Sequence, residues 1–336
     1  MSNPRSAAVA TALLLTLTAC SDGPRAATTT TDEANVPSAP DASSSTSTSS
    51  ASATSDESTS TNLIMDVELD GRRIHVTCFG PTDATVPTIL FEAGGGSPSD
   101  TWDVVVDSLS TTRRTCAYDR AGTGASPLPP DPRRTMKDVV ADLEAVLATA
   151  EIDGPFVLVG HSMAVWPESV YAAAHPEDVA GVVLVDPRAP HISDRFRAAL
   201  APRRAGEPEA VTIWREEDLG AFEHDPSLNP EHLDLTMSAA QASRVLDAPG
   251  PLFGDVPMIV LSASDSDVPF SDLPPRIVER FHSIWVEEQR ALAEESTNGT
   301  FLVVPDTTHE IQIEQPQAVI DAIESVAAAA SSGSSS

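Results

Sequence analysis

The sequence is poor in cysteine, in lysine and in long apolar runs, and each scarcity removes a class of protein. Its three cysteines, Cys20, Cys78 and Cys116, are too few and too scattered for a zinc ribbon or an iron–sulfur site. Lys137 is the only lysine, and 20 basic residues stand against 50 acidic ones, for a net charge of −30. A chain of that sign repels phosphate backbones, so no nucleic-acid partner is expected. No apolar run reaches the length of a membrane-spanning helix. Gly122-Thr123-Gly124 lacks the third glycine of a dinucleotide fingerprint, and no Walker-type phosphate loop is present. His309-Glu310 has no second histidine at the spacing of a zinc protease. We therefore expect no cofactor and no metal, and nothing in the sequence points to a protein partner.

Residues 1–62 differ from the rest. Large apolar residues almost vanish between Leu17 and Leu63. Arg5 precedes a 13-residue apolar stretch, Ala7 to Ala19, which is signal-like in length and too short to span a membrane. The stretch ends in Leu17-Thr18-Ala19-Cys20, which resembles the lipobox of bacterial lipoproteins. That resemblance implies a signal peptide over 1–20, lipidation of Cys20, and an exported protein held to the cell membrane. Residues 21–62 read as a disordered tether: 15 of the 21 residues from Asp41 to Thr61 are Ser or Thr. Such a segment buries too little apolar surface to offset its ordering entropy. The segment carries −4 (two arginines against six acids), which leaves −26 on the remainder.

Residues 63–330 hold nearly all the Val, Ile, Leu and Phe, enough for one large domain. Ile74–Cys78, Ile89–Phe91, Phe156–Val159, Val182–Val185, Met258–Leu261 and Phe301–Val304 read as strands. The last four are continuous apolar runs of the kind covered on both faces. Thr135 and Asp138 have capping-box spacing, and Val139, Val140, Leu143, Val146 and Leu147 follow at helical spacing. Pro316 opens a helix with Val319, Ile320, Ile323 and Val326 on one face. Strands alternating with helices predict an α/β class, with a mostly parallel sheet and helices on both sides. Residues 187–256 break the rhythm and read as a helical insertion over the sheet. It carries Phe196, Trp214 and Phe222, which serve either an apolar pocket or the insertion's own packing. Residues 331–336 read as a disordered tail.

The sharpest chemical signal follows the run Phe156–Val159. It enters Gly160-His161-Ser162-Met163-Ala164 and then a helical segment to Ala174. A serine on such a strand-to-helix turn projects its hydroxyl from the sheet's carboxyl edge, next to free backbone amides. Here the chain resembles the α/β-hydrolase family, over nearly all of 63–330. Glu92-Ala93-Gly94-Gly95-Gly96 matches the family's oxyanion loop, and Asp119-Arg120-Ala121-Gly122-Thr123-Gly124-Ala125-Ser126 matches its Asp-Arg loop. The resemblance implies the chain order nucleophile, acid, histidine, which Ser162, Asp265 and His309 follow. Asp265 is chosen because Asp265-Ser266-Asp267-Val268-Pro269 has a frequent family form at the acid. Asp267, two residues on, and Asp186, ending the preceding strand, are the alternatives. The oxyanion donors implied are the amides of Gly95 and Met163. Ala164 departs from the family, which usually has glycine there.

These residues predict a serine hydrolase acting on a small-molecule ester through an acyl-enzyme. The competing readings are a catalytically impaired binding lipoprotein, a cofactor-free haloperoxidase, and an amidase or peptidase of the same fold. With Cys20 assigned to lipid, Cys78 and Cys116 remain. The family's sheet order makes their strands neighbours, which implies a disulfide between them in an oxidising compartment.

Overall fold

The computed structural model describes residues 62–83, 85–265 and 273–333. The expected leader, Cys20, the tether through residue 61, and Asp267 lie outside the described residues. Among the described residues the strands are β1 (Leu63–Leu69), β2 (Arg72–Phe79), β3 (Thr88–Glu92), β4 (Thr115–Tyr118), β5 (Phe156–His161), β6 (Val179–Val185), β7 (Met258–Ala263) and β8 (Gly299–Val304). The helices are α1 (Asp103–Leu109), α2 (Met136–Thr149), α3 (Val165–Ala174), α4 (Ile192–Ala199), α5 (Glu209–Ile213), α6 (Phe222–His224), α7 (Leu235–Leu246), α8 (Pro275–Ala293), α9 (Ile311–Glu314) and α10 (Pro316–Gly333).

The strands form one sheet in the order β1-β2-β4-β3-β5-β6-β7-β8. Only β2 runs antiparallel to its neighbours; the other pairings are parallel. Strand β1 was not evident from apolar runs, because its one fully buried residue is Val67. Its signal is the Asp70-Gly71 pair. Both residues have positive φ, 50° and 80°, as a two-residue hairpin turn of this hand requires. The capping box at Thr135 forms as its spacing predicts, with the Thr135 amide donating to Asp138 at 2.7 Å.

The central strands explain three of the four continuous apolar runs; the fourth, Phe301–Val304, lies in the edge strand β8 and is not covered on both faces, since Leu302 and Val303 are exposed. Phe156 and Leu158 of β5, with Val182 and Leu184 of β6, join the core beneath α2 and α3. Val157 and Val159, with Val183 and Val185, join the opposite core under α1 and α10. Alternate residues thus feed two separate layers, so every position must be apolar. Cys78 and Cys116 are direct cross-strand partners between β2 and β4, and they form a disulfide.

The insertion contains α4 to α7, with Arg134–Leu233 its one β-bridge among the described residues. Helix α7 packs on α2 and α3, and α4 packs on α8. The 19-residue α8 had no counterpart in the sequence reading. With α4 it encloses a third core, where Phe196 stacks on Phe281 at 4.3 Å and Trp214 meets Phe281 at 4.9 Å. Phe196 is fully buried in that stack, and Phe222 packs against the core beneath α2 and α3, so both serve packing. Of the expected tail, residues 331–333 belong to helix α10, which continues to Gly333, and the Ser331 hydroxyl donates back to the Ala327 carbonyl; residues 334–336 lie outside the described residues. No helix among the described residues is long and apolar enough to cross a membrane.

Candidate active site

Three strand ends turn sharply at the carboxyl edge of the sheet. Ser162 follows β5 with φ 55°, Asp186 follows β6 with φ 41°, and Asp306 follows β8 with φ 55°. Non-glycine residues seldom hold such angles, and strain of this kind gathers where side chains must be aimed. The turn at Ser162 runs through one short 3₁₀ segment, Ser162–Ala164, into α3.

His309, three residues after the Asp306 turn, joins the other two. The Ser162 hydroxyl donates to His309 Nε2 at 2.9 Å, and His309 Nδ1–H donates to Asp186 Oδ2 at 2.6 Å. An ionised carboxylate only accepts, which assigns the proton to Nδ1 and leaves Nε2 free to receive one. Asp186 has no exposed surface. Its Oδ1 accepts from the Ala263 amide at 3.0 Å, Gln289 Nε2 at 2.8 Å and Trp285 Nε1 at 3.2 Å.

The acid beside His309 is therefore Asp186 and not the expected Asp265. Asp265 is exposed, two residues beyond β7, and its amide donates to the Thr307 carbonyl at 3.0 Å. The physical reason lies in what surrounds each carboxylate: Asp186 is buried where three donors converge on it, whereas Asp265 lies exposed beyond the end of β7. Trp285 and Gln289, which hold Asp186, come from α8 and were missed. The Pro274-Pro275 pair could have marked the start of that helix.

Burial pushes the Asp186 carboxyl up, but its bond from His309, the imidazole charge, Gln289 and the Ala263 amide more than offset this. They hold it below the ordinary carboxylate range. Burial pulls His309 down, and the bond to Asp186 and its charge outweigh that, raising the imidazole above its ordinary value. His161 is different. Burial and the proximity of His309 lower it to about 4, so it stays neutral. Its Nε2–H donates to the His309 carbonyl at 2.9 Å, which makes it a support for the histidine loop. His161, His309 and Glu310 could bring three metal-ligand atoms within 4.8 Å. Both His309 nitrogens are already engaged by Ser162 and Asp186, so the residues present do not fit a metal there.

Gly95, expected as an oxyanion donor, lies directly against Met163, the other one. A Cβ at Gly95 would stand 3.0 Å from Met163 Cε, and one at Gly94 would stand 3.5 Å from Ser162 Cβ. The loop after β3 thus flanks the serine turn, where a backbone without side chains is required. Ala164 is buried, with φ −56° and ψ −26°, an ordinary helical conformation. Its methyl is accommodated while Ser162 keeps its bond to His309. Ala164→Gly should accordingly leave turnover nearly unchanged and lower stability by about 0.5–1 kcal/mol. Turnover and melting temperature of both forms check this; a many-fold gain in turnover would show that the methyl displaces the turn.

Comparisons with known proteins bear on the family and the fold. The chain is 25% identical over 243 residues to the uncharacterized protein YqjL of Bacillus subtilis (strain 168), covering 72% of this chain and 84% of YqjL. It is 42% identical over 103 residues to the probable transporter efuK of Hormonema carpetanum, covering 30% of this chain but only 15% of efuK. A thermophilic esterase from Thermogutta terrifontis shares the fold, with TM-score 0.52 and 22% identity, covering 80% of this chain and 97% of that one. Residues 89–322 match the alpha/beta hydrolase family as a whole, and the chain belongs to that family.

Proposed function

We propose that the protein is an exported, lipid-anchored serine hydrolase that cleaves carboxylic esters through an acyl-enzyme. The observation that carries the reading is His309 bridging Ser162 Oγ at 2.9 Å and Asp186 Oδ2 at 2.6 Å. As Ser162 Oγ bonds to the ester carbonyl carbon, its proton passes to His309 Nε2. The tetrahedral intermediate collapses, the C–O bond breaks, and the same proton leaves with the alcohol. Water then repeats the sequence and releases the acid. Asp186 keeps the Nδ1 proton in place and stabilises the imidazolium. The negative charge of the intermediate falls to the amides of Gly95 and Met163. The esterase of similar fold supports an ester as the substrate class.

A fluorophosphonate probe should label the folded chain at Ser162, and p-nitrophenyl esters of graded chain length should be turned over. A folded chain that neither labels nor hydrolyses any of them would end this reading. Anchoring is tested separately: Cys20→Ala should leave the protein in the aqueous phase or held by an uncleaved signal. Identical partition of the two forms into detergent after signal cleavage would remove the lipid anchor.

A further inference from the structure

Arg120 is almost wholly buried and uses all five of its N–H groups. Nε donates to Glu231 Oε2 at 2.7 Å, and Nη2 donates to Glu231 Oε1 at 3.0 Å and to the Gly94 carbonyl at 2.5 Å. Nη1 donates to Glu92 Oε2 at 2.8 Å and to the Ala93 carbonyl at 2.6 Å. Glu231 Oε1 also accepts from the Gly96 amide at 2.7 Å. Two residues from distant parts of the chain therefore hold two carbonyls and one amide of the loop that bears Gly95.

Glu231 belongs to the insertion, and the segment around it is built to present it. The Asn229 side chain accepts from the Leu233 amide at 2.8 Å and donates to the Leu233 carbonyl at 2.9 Å, closing the segment on itself. The Arg134 amide donates to the His232 carbonyl at 2.8 Å, and the Asp234 amide to the Arg134 carbonyl at 2.8 Å. Gly122 has no room for a side chain, since a Cβ there would lie 2.0 Å from the Pro230 carbonyl oxygen. The Asp-Arg loop and the insertion thus touch backbone to backbone beside the oxyanion loop.

We propose that Glu231 and Arg120 are positioning residues that set the backbone of Ala93–Gly96, so that the insertion fixes where the oxyanion is received. The catalytic half of this inference rests on Ser162 being the nucleophile; the positioning half does not. Displacing a single oxyanion donor weakens only the interaction made in the transition state. A plain structural ion pair would lower melting temperature and leave that interaction alone.

The test uses the full-length chain and two variants, Glu231→Ala and the milder Glu231→Gln, which keeps an acceptor for the Gly96 amide. In Glu231→Ala, amide exchange of a peptide covering Ala93–Ser97 should speed up while β5 and β6 peptides stay protected. Its kcat should fall about ten- to a hundred-fold with KM little changed. The inhibition constant of an alkyl boronic acid, whose adduct with Ser162 is tetrahedral, should rise by the same factor. Glu231→Gln should recover most of both. If Glu231→Ala does not fold, the same readings on Glu231→Gln decide, with smaller changes in the same direction. Unchanged exchange at Ala93–Ser97 would overturn the proposal. So would faster exchange there with kcat and boronate affinity intact. If the wild-type chain shows no labelling and no turnover, the serine-hydrolase reading fails, and the exchange experiment alone decides the positioning.

Discussion

Ser162→Ala should lower ester hydrolysis about a million-fold, and His309→Ala should do nearly the same. The two groups act on one proton. Without the hydroxyl there is no acyl-enzyme, and without the imidazole the hydroxyl keeps its proton. The double variant should therefore be little worse than either single one. What activity survives would come from binding and from the oxyanion donors, which neither substitution touches. The check is single-turnover and steady-state hydrolysis of a p-nitrophenyl ester by the three variants, with folding verified by circular dichroism. Losses that multiply in the double variant would show that Ser162 and His309 do not work as one unit, although they lie 2.9 Å apart.

Asp186→Asn should cost about ten-thousand-fold in kcat, and Asp265→Asn should cost almost nothing. The asparagine is nearly the same shape, so the fold should survive. Its amide can donate toward His309 Nδ1, however, and would then favour the tautomer that carries its proton on Nε2. That nitrogen could no longer accept from Ser162. The pH profile offers a second reading. Asp186 raises His309 above its ordinary value of 6.5, and only neutral His309 can take the serine proton. In the wild type, kcat/KM should rise with pH through a midpoint above 6.5. Removing the charge at Asp186 should move that midpoint down. A large loss on Asp265→Asn, with Asp186→Asn mild, would return the acid to Asp265.

The assignment of the acid shows where local patterns stop being informative. Asp265 has the more frequent family-like setting in sequence, and Asp186 stands there only as an alternative, between an apolar run and a proline. Their roles are set by what surrounds each side chain. A carboxylate as fully buried as Asp186 is tolerable only where donors converge on it. Those donors, Ala263, Trp285 and Gln289, lie 77 to 103 residues away along the chain. Helix α8, which supplies two of them, carries an apolar stripe at helical spacing, Phe281, Ile284, Trp285 and Leu292, but nothing local shows that Gln289 on the same face is buried against a carboxylate. The Glu231–Arg120 arrangement is equally silent in sequence, since its partners are separated by 111 residues.

By itself the sequence determined what depends on neighbours along the chain. Apolar runs covered on both faces specified β5, β6 and β7, because each residue there must meet one of two cores. The strand, the Gly160-His161-Ser162 turn and the helix after it specified where a serine would project, and the last strand with its loop pointed to His309. Tertiary structure alone decided which carboxylate meets that histidine, how the insertion reaches the glycine loop after β3, and that Phe196 packs inside the fold. Such matters turn on buried groups finding partners across the fold, which short-range periodicity does not record.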